Sequence, residues 1–338
     1  MRGGLKSVFD HLVSPGNLLV AWQEFRRSKT SRKDVQEFYF NLEDNIFELH
    51  DRLKAGVWHP DPYISFYIRD PKLRHIHKAS VRDRVFNQAL FMLLEPIFDK
   101  HFIYDSFSCR YGKGTHKGVL RLESFLRKNT NNHTSQTFIL KCDIRKFFDN
   151  ISHDKLLSIL RTKIKNGNIL AIIEKIIFSF EKESGRGLPL GNVTSQLFAN
   201  VYLNELDQFI KHQLKIKYYI RYCDDFVILD KDKYHLLELI LKIENFLSSN
   251  LDLHLHPHKI KIRKSNWGID FLGYVILPHY IVLRTKTKRR ILQKIKNLKG
   301  RLSRSKISKD HFDRATSSYK GMLTHCKGHK ILQMIDES

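Results

Sequence analysis

Ile220-Arg221-Tyr222-Cys223-Asp224-Asp225-Phe226-Val227-Ile228-Leu229 sets two adjacent carboxylates between runs of strand-forming residues. Tyr, Ile, Val and Phe favour extended chain, and an Asp-Asp step between two apolar runs reads as the tight turn of a hairpin. Close carboxylates repel unless a cation neutralises them, so folding alone gives no reason to put two there. Upstream, Phe138-Ile139-Leu140-Lys141-Cys142-Asp143-Ile144 is a second apolar strand ending in a carboxylate, just before Arg145-Lys146-Phe147-Phe148-Asp149-Asn150. Asp143, Asp224 and Asp225 on two strand ends, in a chain of formal net charge +24, point to a divalent-metal site for phosphoryl transfer on nucleic acid. Alone, an Asp-Asp pair is ordinarily a solvated turn and Asp143 a capping carboxylate. The order and setting of all three favour the metal.

The charge comes from 59 Lys+Arg against 35 Asp+Glu, before any protonation of 18 histidines. Such a bias implies a polyanionic partner, because each phosphate neutralised releases a counterion. An anionic membrane surface competes as an explanation. No uninterrupted apolar run approaches the roughly 18–20 residues of a spanning helix. Met1-Arg2-Gly3-Gly4-Leu5-Lys6 also lacks the apolar core of a signal peptide, so a cytoplasmic protein without a membrane partner is expected. Hydrophobic content of 42% with 12% aromatic residues fits a globular chain, and 338 residues suggest two or three folding units. Cys109, Cys142, Cys223 and Cys326 form no CxxC pair, which excludes zinc-ribbon spacing and fits reduced thiols. Cys142 and Cys223 read as space-fillers beneath the carboxylates.

Residues 18–56 are expected to be mostly helical, from the recurrence of Val35, Phe38, Tyr39, Leu42, Ile46, Leu49 and Leu53. Tyr63–Ile68 reads as a strand, 83–97 as a helix with a buried stripe, and the polar run Arg127–Thr137 as a loop. Helices are expected across 153–182, over Val193–Leu206 after the glycine-rich turn 185–191, and near 234–249. From Thr285 the composition shifts to a basic amphipathic helix, which places a small helical domain at 282–338.

The order strand–Asp143, glycine turn–helix, Asp224-Asp225 hairpin resembles the palm of reverse transcriptases. The resemblance implies an α+β right-hand polymerase. A helical extension or fingers would occupy 1–60, fingers and an antiparallel palm sheet packed on helices 61–281, and a basic helical thumb 282–338. It implies two magnesium ions, with manganese as a substitute, on Asp143 and Asp224, helped by the Ile144 carbonyl and supported by Asp225. By the same resemblance Lys72 and Arg74 in Asp70-Pro71-Lys72-Leu73-Arg74 grip the incoming triphosphate, and Phe148 is a steric gate against the ribose 2′-hydroxyl. Leu190, Gly191 and Gln196 fall in the nucleotide-facing motif. Lys259 matches the lysine that protonates pyrophosphate. Phe271-Leu272-Gly273-Tyr274 resembles the primer grip, and Ser318-Tyr319-Lys320-Gly321 a thumb pattern of intron-type relatives. A generic basic loop competes at 70–74 and a core aromatic at Phe148. His254, His256 and His258 would share a strand face, but Pro257 interrupts it, so solvated or RNA-facing histidines are expected rather than a metal triad.

One departure separates subfamilies. Most reverse transcriptases carry a Gln before the motif glycine and a Ser-Pro downstream, whereas this chain reads Pro189-Leu190-Gly191-Asn192-Val193-Thr194-Ser195-Gln196. That pattern, together with Cys109-Arg110-Tyr111-Gly112-Lys113-Gly114-Thr115-His116, is similar to the reverse transcriptases of diversity-generating retroelements. Members copy a template RNA with errors at adenines and work with a small basic accessory protein. The expected substrates are template RNA, a DNA or cDNA primer and dNTPs, in a bacterial, archaeal or phage-encoded cytoplasmic enzyme. An intron-type, retron or defence-associated enzyme is the alternative within the chemistry. No Val-Thr-Gly in the thumb region and no cysteine-rich endonuclease tail weigh against a retron and a full maturase. A catalytically silent RNA-binding scaffold is the non-enzyme alternative, disfavoured because a scaffold needs none of the three carboxylates.

Overall fold

A computed structural model of the chain describes residues 3–69 and 73–336. The N-terminal helices are α1 (Gly3–Val13), α2 (Pro15–Arg26), α3 (Lys33–Phe40) and α4 (Leu42–Lys54). The Ser14 hydroxyl accepts from the Asn17 N–H to cap α2, and Pro15 takes the first turn, where no intrahelical bond is lost. Strands β1 (Ile64–Arg69) and β2 (Leu73–Lys78) follow, then α5 (Val81–Asp99), capped by Ser80. Next come α6 (Thr115–Asn129), β3 (Phe138–Asp143) and α7 (Phe147–Asn150). Helices α8 (His153–Lys163), α9 (Gly167–Phe178) and α10 (Val193–Gln208) precede the hairpin β4 (Tyr219–Tyr222) and β5 (Asp225–Asp230). Then run α11 (Lys233–Leu251), β6 (Lys261–Lys264), β7 (Ile269–Phe271), β8 (Tyr274–Ile276) and β9 (Ile281–Leu283). Helices α12 (Thr285–Leu302), α13 (Lys309–Leu323) and α14 (His329–Asp336) close the chain.

The helices and strands expected from periodicity are present, with breaks at 27–32, Asn41 and 164–166; the helices expected to 182 end at Phe178, and residues 127–129 of the expected loop continue α6. The sheets are antiparallel, as expected of an α+β polymerase fold. Among the described residues no helix is long and apolar enough to cross a membrane.

The chain divides into two compact units. The first comprises residues 1–104, 144–215 and 242–255. In it α5 packs against α2 and α10, burying Trp22, Phe86, Leu90, Phe198 and Tyr202. The hairpin β1–β2 belongs to this unit, and Ile64, Phe66, Tyr67, Ile68 and Leu73 on it are exposed.

The second unit comprises residues 105–143, 216–241 and 256–338. Its four-stranded sheet has the order β4-β5-β3-β6, which puts β3 and β5 inside. Ile139, Ile220, Val227 and Leu229 on one face share a core with α6, the three-stranded sheet β7-β8-β9 and the C-terminal helices, through Leu122, Phe271, Tyr274, Ile291, Phe312 and Ile331. Leu140, Cys142, Phe226 and Ile228 point to the opposite face and are also fully buried. Burial on both faces explains why the strand sequences are continuously apolar rather than alternating.

Leu140→Ala should therefore cost about 2–5 kcal/mol, the usual range for an interior leucine that leaves a cavity. Urea denaturation of the two proteins would measure it. A loss well below that range would mean that β3 is not packed from both sides.

Candidate active site

Antiparallel pairing sets Asp143, the last residue of β3, directly opposite Asp225, the first residue of β5. Asp225 also pairs with Tyr222 of β4, so the hairpin turn is Cys223-Asp224 and the second aspartate opens the strand. This corrects the expected Asp-Asp turn by one residue. Cys223 adopts φ 56, a left-handed conformation that costs a non-glycine residue roughly 1–2 kcal/mol. Arg221, fully buried, donates from Nη1 to the Cys223 carbonyl at 3.1 Å and so helps to hold that turn. The Arg221 backbone is itself clamped, its N–H donating to the Asp105 carbonyl and its carbonyl accepting from Phe107.

By strand alternation Lys141 and Asp143 share a face with Asp225. Lys141 Nζ lies 3.1 Å from Asp225 Oδ2, and Lys259 Nζ 2.6 Å from Asp143 Oδ1. A turn delivers Lys259: the His256 N–H donates to the Asp143 carbonyl, and the Lys259 N–H donates to the His256 carbonyl. Burial, with the Asp143 charge adding to it, raises the Asp224 carboxyl above the usual carboxylate range. Burial pushes Asp225 up to about 6 against the opposing pull of Lys141. Burial and the two neighbouring carboxylates push the Cys142 thiol far up, which fits an un-ionised space-filler.

The donor set fits a hard cation. Asp225 Oδ1 is buried without a hydrogen-bond partner, a condition that costs a buried acceptor about 1–3 kcal/mol unless something fills it. Carboxylate oxygens are the ligands magnesium and manganese prefer. Among the described residues no three His, Cys, Asp or Glu side chains already stand in ligating geometry. Lys141 pairs with Asp225 through Oδ2 and Lys259 with Asp143 through Oδ1, which leaves Asp225 Oδ1 without a partner.

The other residues singled out in the sequence fall as follows. Phe271 is buried at the end of β7, and Leu272-Gly273, with φ 51 and 88, make the two-residue turn into β8. Ile144 is buried and bridges Leu255 in the first unit. Phe148 in that unit is partly buried, 5.3 Å from the Phe147 ring, and its carbonyl accepts from the Leu188 N–H at 2.8 Å. Two residues on, the Leu190 carbonyl accepts from the His77 N–H of β2 at 3.1 Å. Gly191 has φ 125, a backbone conformation that strains an L side chain and so favours glycine; a Cβ there would meet the His77 carbonyl and the Ile76 side chain at an ordinary contact distance of 3.4 Å. Backbone bonds thus join Phe148 to Leu188 and Leu190 to β2, the strand that carries Arg74; Gln196 is exposed on α10. Asp70, Pro71 and Lys72 lie outside the described residues. The three histidines do not run along one strand, because residues 257–258 form a turn; His254 pairs with Glu244 at 2.7 Å, and the His256 and His258 rings lie 6.1 Å apart.

Sequence reasoning missed Lys141 and Arg221. The signal for both was a cation inside an otherwise apolar strand, where burial demands a partner.

Comparison with known proteins bears on the family. Residues 68–276 match the family described as reverse transcriptase (RNA-dependent DNA polymerase). The chain is 26% identical over 269 residues to protein YkfC of Escherichia coli (strain K12), covering 68% of this chain and 70% of that protein. It is 26% identical over 223 residues to the group II intron-encoded protein LtrA of Lactococcus lactis subsp. cremoris, covering 62% of this chain but 36% of LtrA. It is 21% identical over 263 residues to the putative COX1/OXI3 intron 2 protein of Saccharomyces cerevisiae, covering 60% of this chain and 30% of that protein. The intron-encoded relatives are thus spanned over about a third of their length. With the family match extending over more than half of its residues, the chain belongs to the reverse transcriptases, enzymes that are RNA-dependent DNA polymerases.

Proposed function

We propose that Asp143, Asp224 and Asp225 form the reacting centre for copying a template RNA into cDNA from a DNA primer and dNTPs. The observation that carries this reading is the register that sets Asp143 against Asp225 with Asp224 in the adjoining turn, in a chain of net charge +24. Two divalent cations, magnesium or manganese, would activate the primer 3′-hydroxyl and neutralise the triphosphate and the leaving pyrophosphate. Asp143 and Asp224 are the principal ligands in this scheme, with the Ile144 carbonyl and Asp225 in support. Lys259 passes a proton from Nζ to the leaving pyrophosphate.

In polymerase terms, residues 1–60 are a helical extension, 61–281 fingers and palm, and 282–338 the thumb. Basic side chains along α12 meet nucleic-acid phosphate. Lys72 and Arg74 bind triphosphate, Phe148 guards the sugar, and Leu190, Gly191 and Gln196 bound the nucleotide pocket. Phe271-Leu272-Gly273 hold the primer.

Within this activity Leu190 favours a diversity-generating enzyme, working in the cytoplasm with a small basic accessory protein. An aliphatic side chain offers the nascent pair no hydrogen bond, so geometric discrimination loosens. The likeness to the intron-encoded protein LtrA favours an intron-type enzyme instead. The error spectrum separates the two.

Asp143→Asn and Asp224→Asn should each abolish magnesium-dependent primer extension while RNA binding, measured by filter retention, stays nearly intact. Substantial extension by either variant would sink the reacting-centre assignment; a wild type that binds RNA but never extends would leave the scaffold alternative. Phe148→Ala should admit ribonucleotides. A folded variant with unchanged sugar selectivity excludes the gate, and a core role would appear as a stability loss of about 3–5 kcal/mol. Leu190→Gln should reduce misincorporation opposite template adenine, about tenfold for each 1.4 kcal/mol of restored discrimination. Equal, low error rates at all four template bases in both proteins would leave the intron-type reading in place of the diversity-generating one.

A further inference from the structure

Lys141 stands on β3, an inner strand of the four-stranded sheet, and its side chain is 24% exposed, as is that of Asp225. Its ammonium makes three contacts. Asp225 Oδ2 lies at 3.1 Å, the Asp270 carbonyl accepts from it at 2.8 Å, and the Phe271 ring centroid is 5.9 Å away. Asp270 and Phe271 belong to β7. The Asp270 carboxylate pairs in turn with Arg284 at 2.9 Å, and the Arg284 N–H donates to the Gly273 carbonyl at 3.0 Å. Arg284 immediately precedes α12. A continuous series of contacts therefore links Asp225, through one ammonium, to the β7–β8 hairpin and to the start of the basic helix.

An inner strand position beside a packed core is a costly place for a lysine, because the charge loses water and the long side chain loses rotamer freedom. An apolar side chain would fill it more cheaply. Two donors committed in fixed directions, one to a carboxylate and one to a backbone carbonyl, hold the ammonium still.

We propose that Lys141 is a positioning residue for DNA synthesis: it fixes Asp225 on the carboxylate face and ties that carboxylate to the hairpin carrying Phe271-Leu272-Gly273. This rests on the polymerase role of Asp143, Asp224 and Asp225 proposed above. Lys141 has two opposed effects. Orienting Asp225 favours turnover, whereas the positive charge beside it disfavours a second cation there. A side chain that only filled space would do neither.

The test uses the full chain with Lys141→Met, Lys141→Gln and Lys141→Arg. Manganese binding is followed by the spin-resonance signal of free Mn²⁺ without nucleic acid, and primer extension by its kcat and its KM for primer–template. Folded neutral variants should bind Mn²⁺ about threefold tighter or more, since a repelling charge is gone. At saturating Mn²⁺ they should nevertheless turn over about tenfold more slowly or worse, with KM for primer–template changed by less than about twofold. Lys141→Arg should return Mn²⁺ affinity to the wild-type value and recover most of the turnover. Unchanged affinity and turnover in a folded neutral variant would overturn the proposal. So would failure of both neutral variants to fold, which would assign Lys141 to stability. A wild type that neither binds Mn²⁺ nor extends a primer would overturn the polymerase reading instead.

Discussion

Mutual repulsion of carboxylates is the constraint on which the rest of this molecule turns. Asp143 and Asp225 face each other across two inner strands, with Asp224 beside them, and each is partly withdrawn from water. Such an arrangement holds only where positive charge is supplied and where the backbone leaves the side chains no escape. Lys141 and Lys259 supply part of that charge. Burial first, and the neighbouring carboxylates after it, raise the Asp224 and Asp225 carboxyls, and one Asp225 oxygen is buried without a partner. A site under that strain is suited to gain from a divalent cation.

The scaffold denies the carboxylates room to relax. The sheet is buried on both faces beneath them, so a shift in register would turn apolar residues toward the wrong side. At the turn, the Arg221 guanidinium holds the carbonyl of left-handed Cys223 from within the protein. At the last residue of β3, the His256 N–H and the Lys259 side chain take the carbonyl and the carboxylate of Asp143. Each device acts on the backbone or side chain of an aspartate or its immediate neighbour.

Much of this was legible in the sequence, because the strongest signals were local. An apolar run ending in Asp143 marks β3, the Asp-Asp step between two apolar runs marks the hairpin β4–β5, and helical periodicity marks α4, α5, α10 and α11. The family resemblance drawn from those motifs agrees with the match over residues 68–276. What was not legible depends on pairing across the chain. Nothing near Lys141 announces Asp270, which is 129 positions away, and nothing near Lys259 announces Asp143, which is 116 away. The turn was displaced by one residue because Cys is an uncommon choice for a left-handed position, and Arg221 compensates from a distance that propensity cannot register. For the histidines 254–258 the local signal sufficed: Pro257 interrupts the alternation, and residues 257–258 form a turn.

If divalent cations gather at this carboxylate face, Fe²⁺ should take their place and report its own position. With ascorbate and peroxide, bound Fe²⁺ generates radicals that cut the nearest backbone. The account predicts cuts around Asp143–Ile144 and around Cys223–Asp225, suppressed by excess Mg²⁺ and absent in Asp224→Asn. Cleavage confined to other segments, such as the histidines at 254–258, or cuts at the aspartates that Mg²⁺ does not suppress, would contradict it.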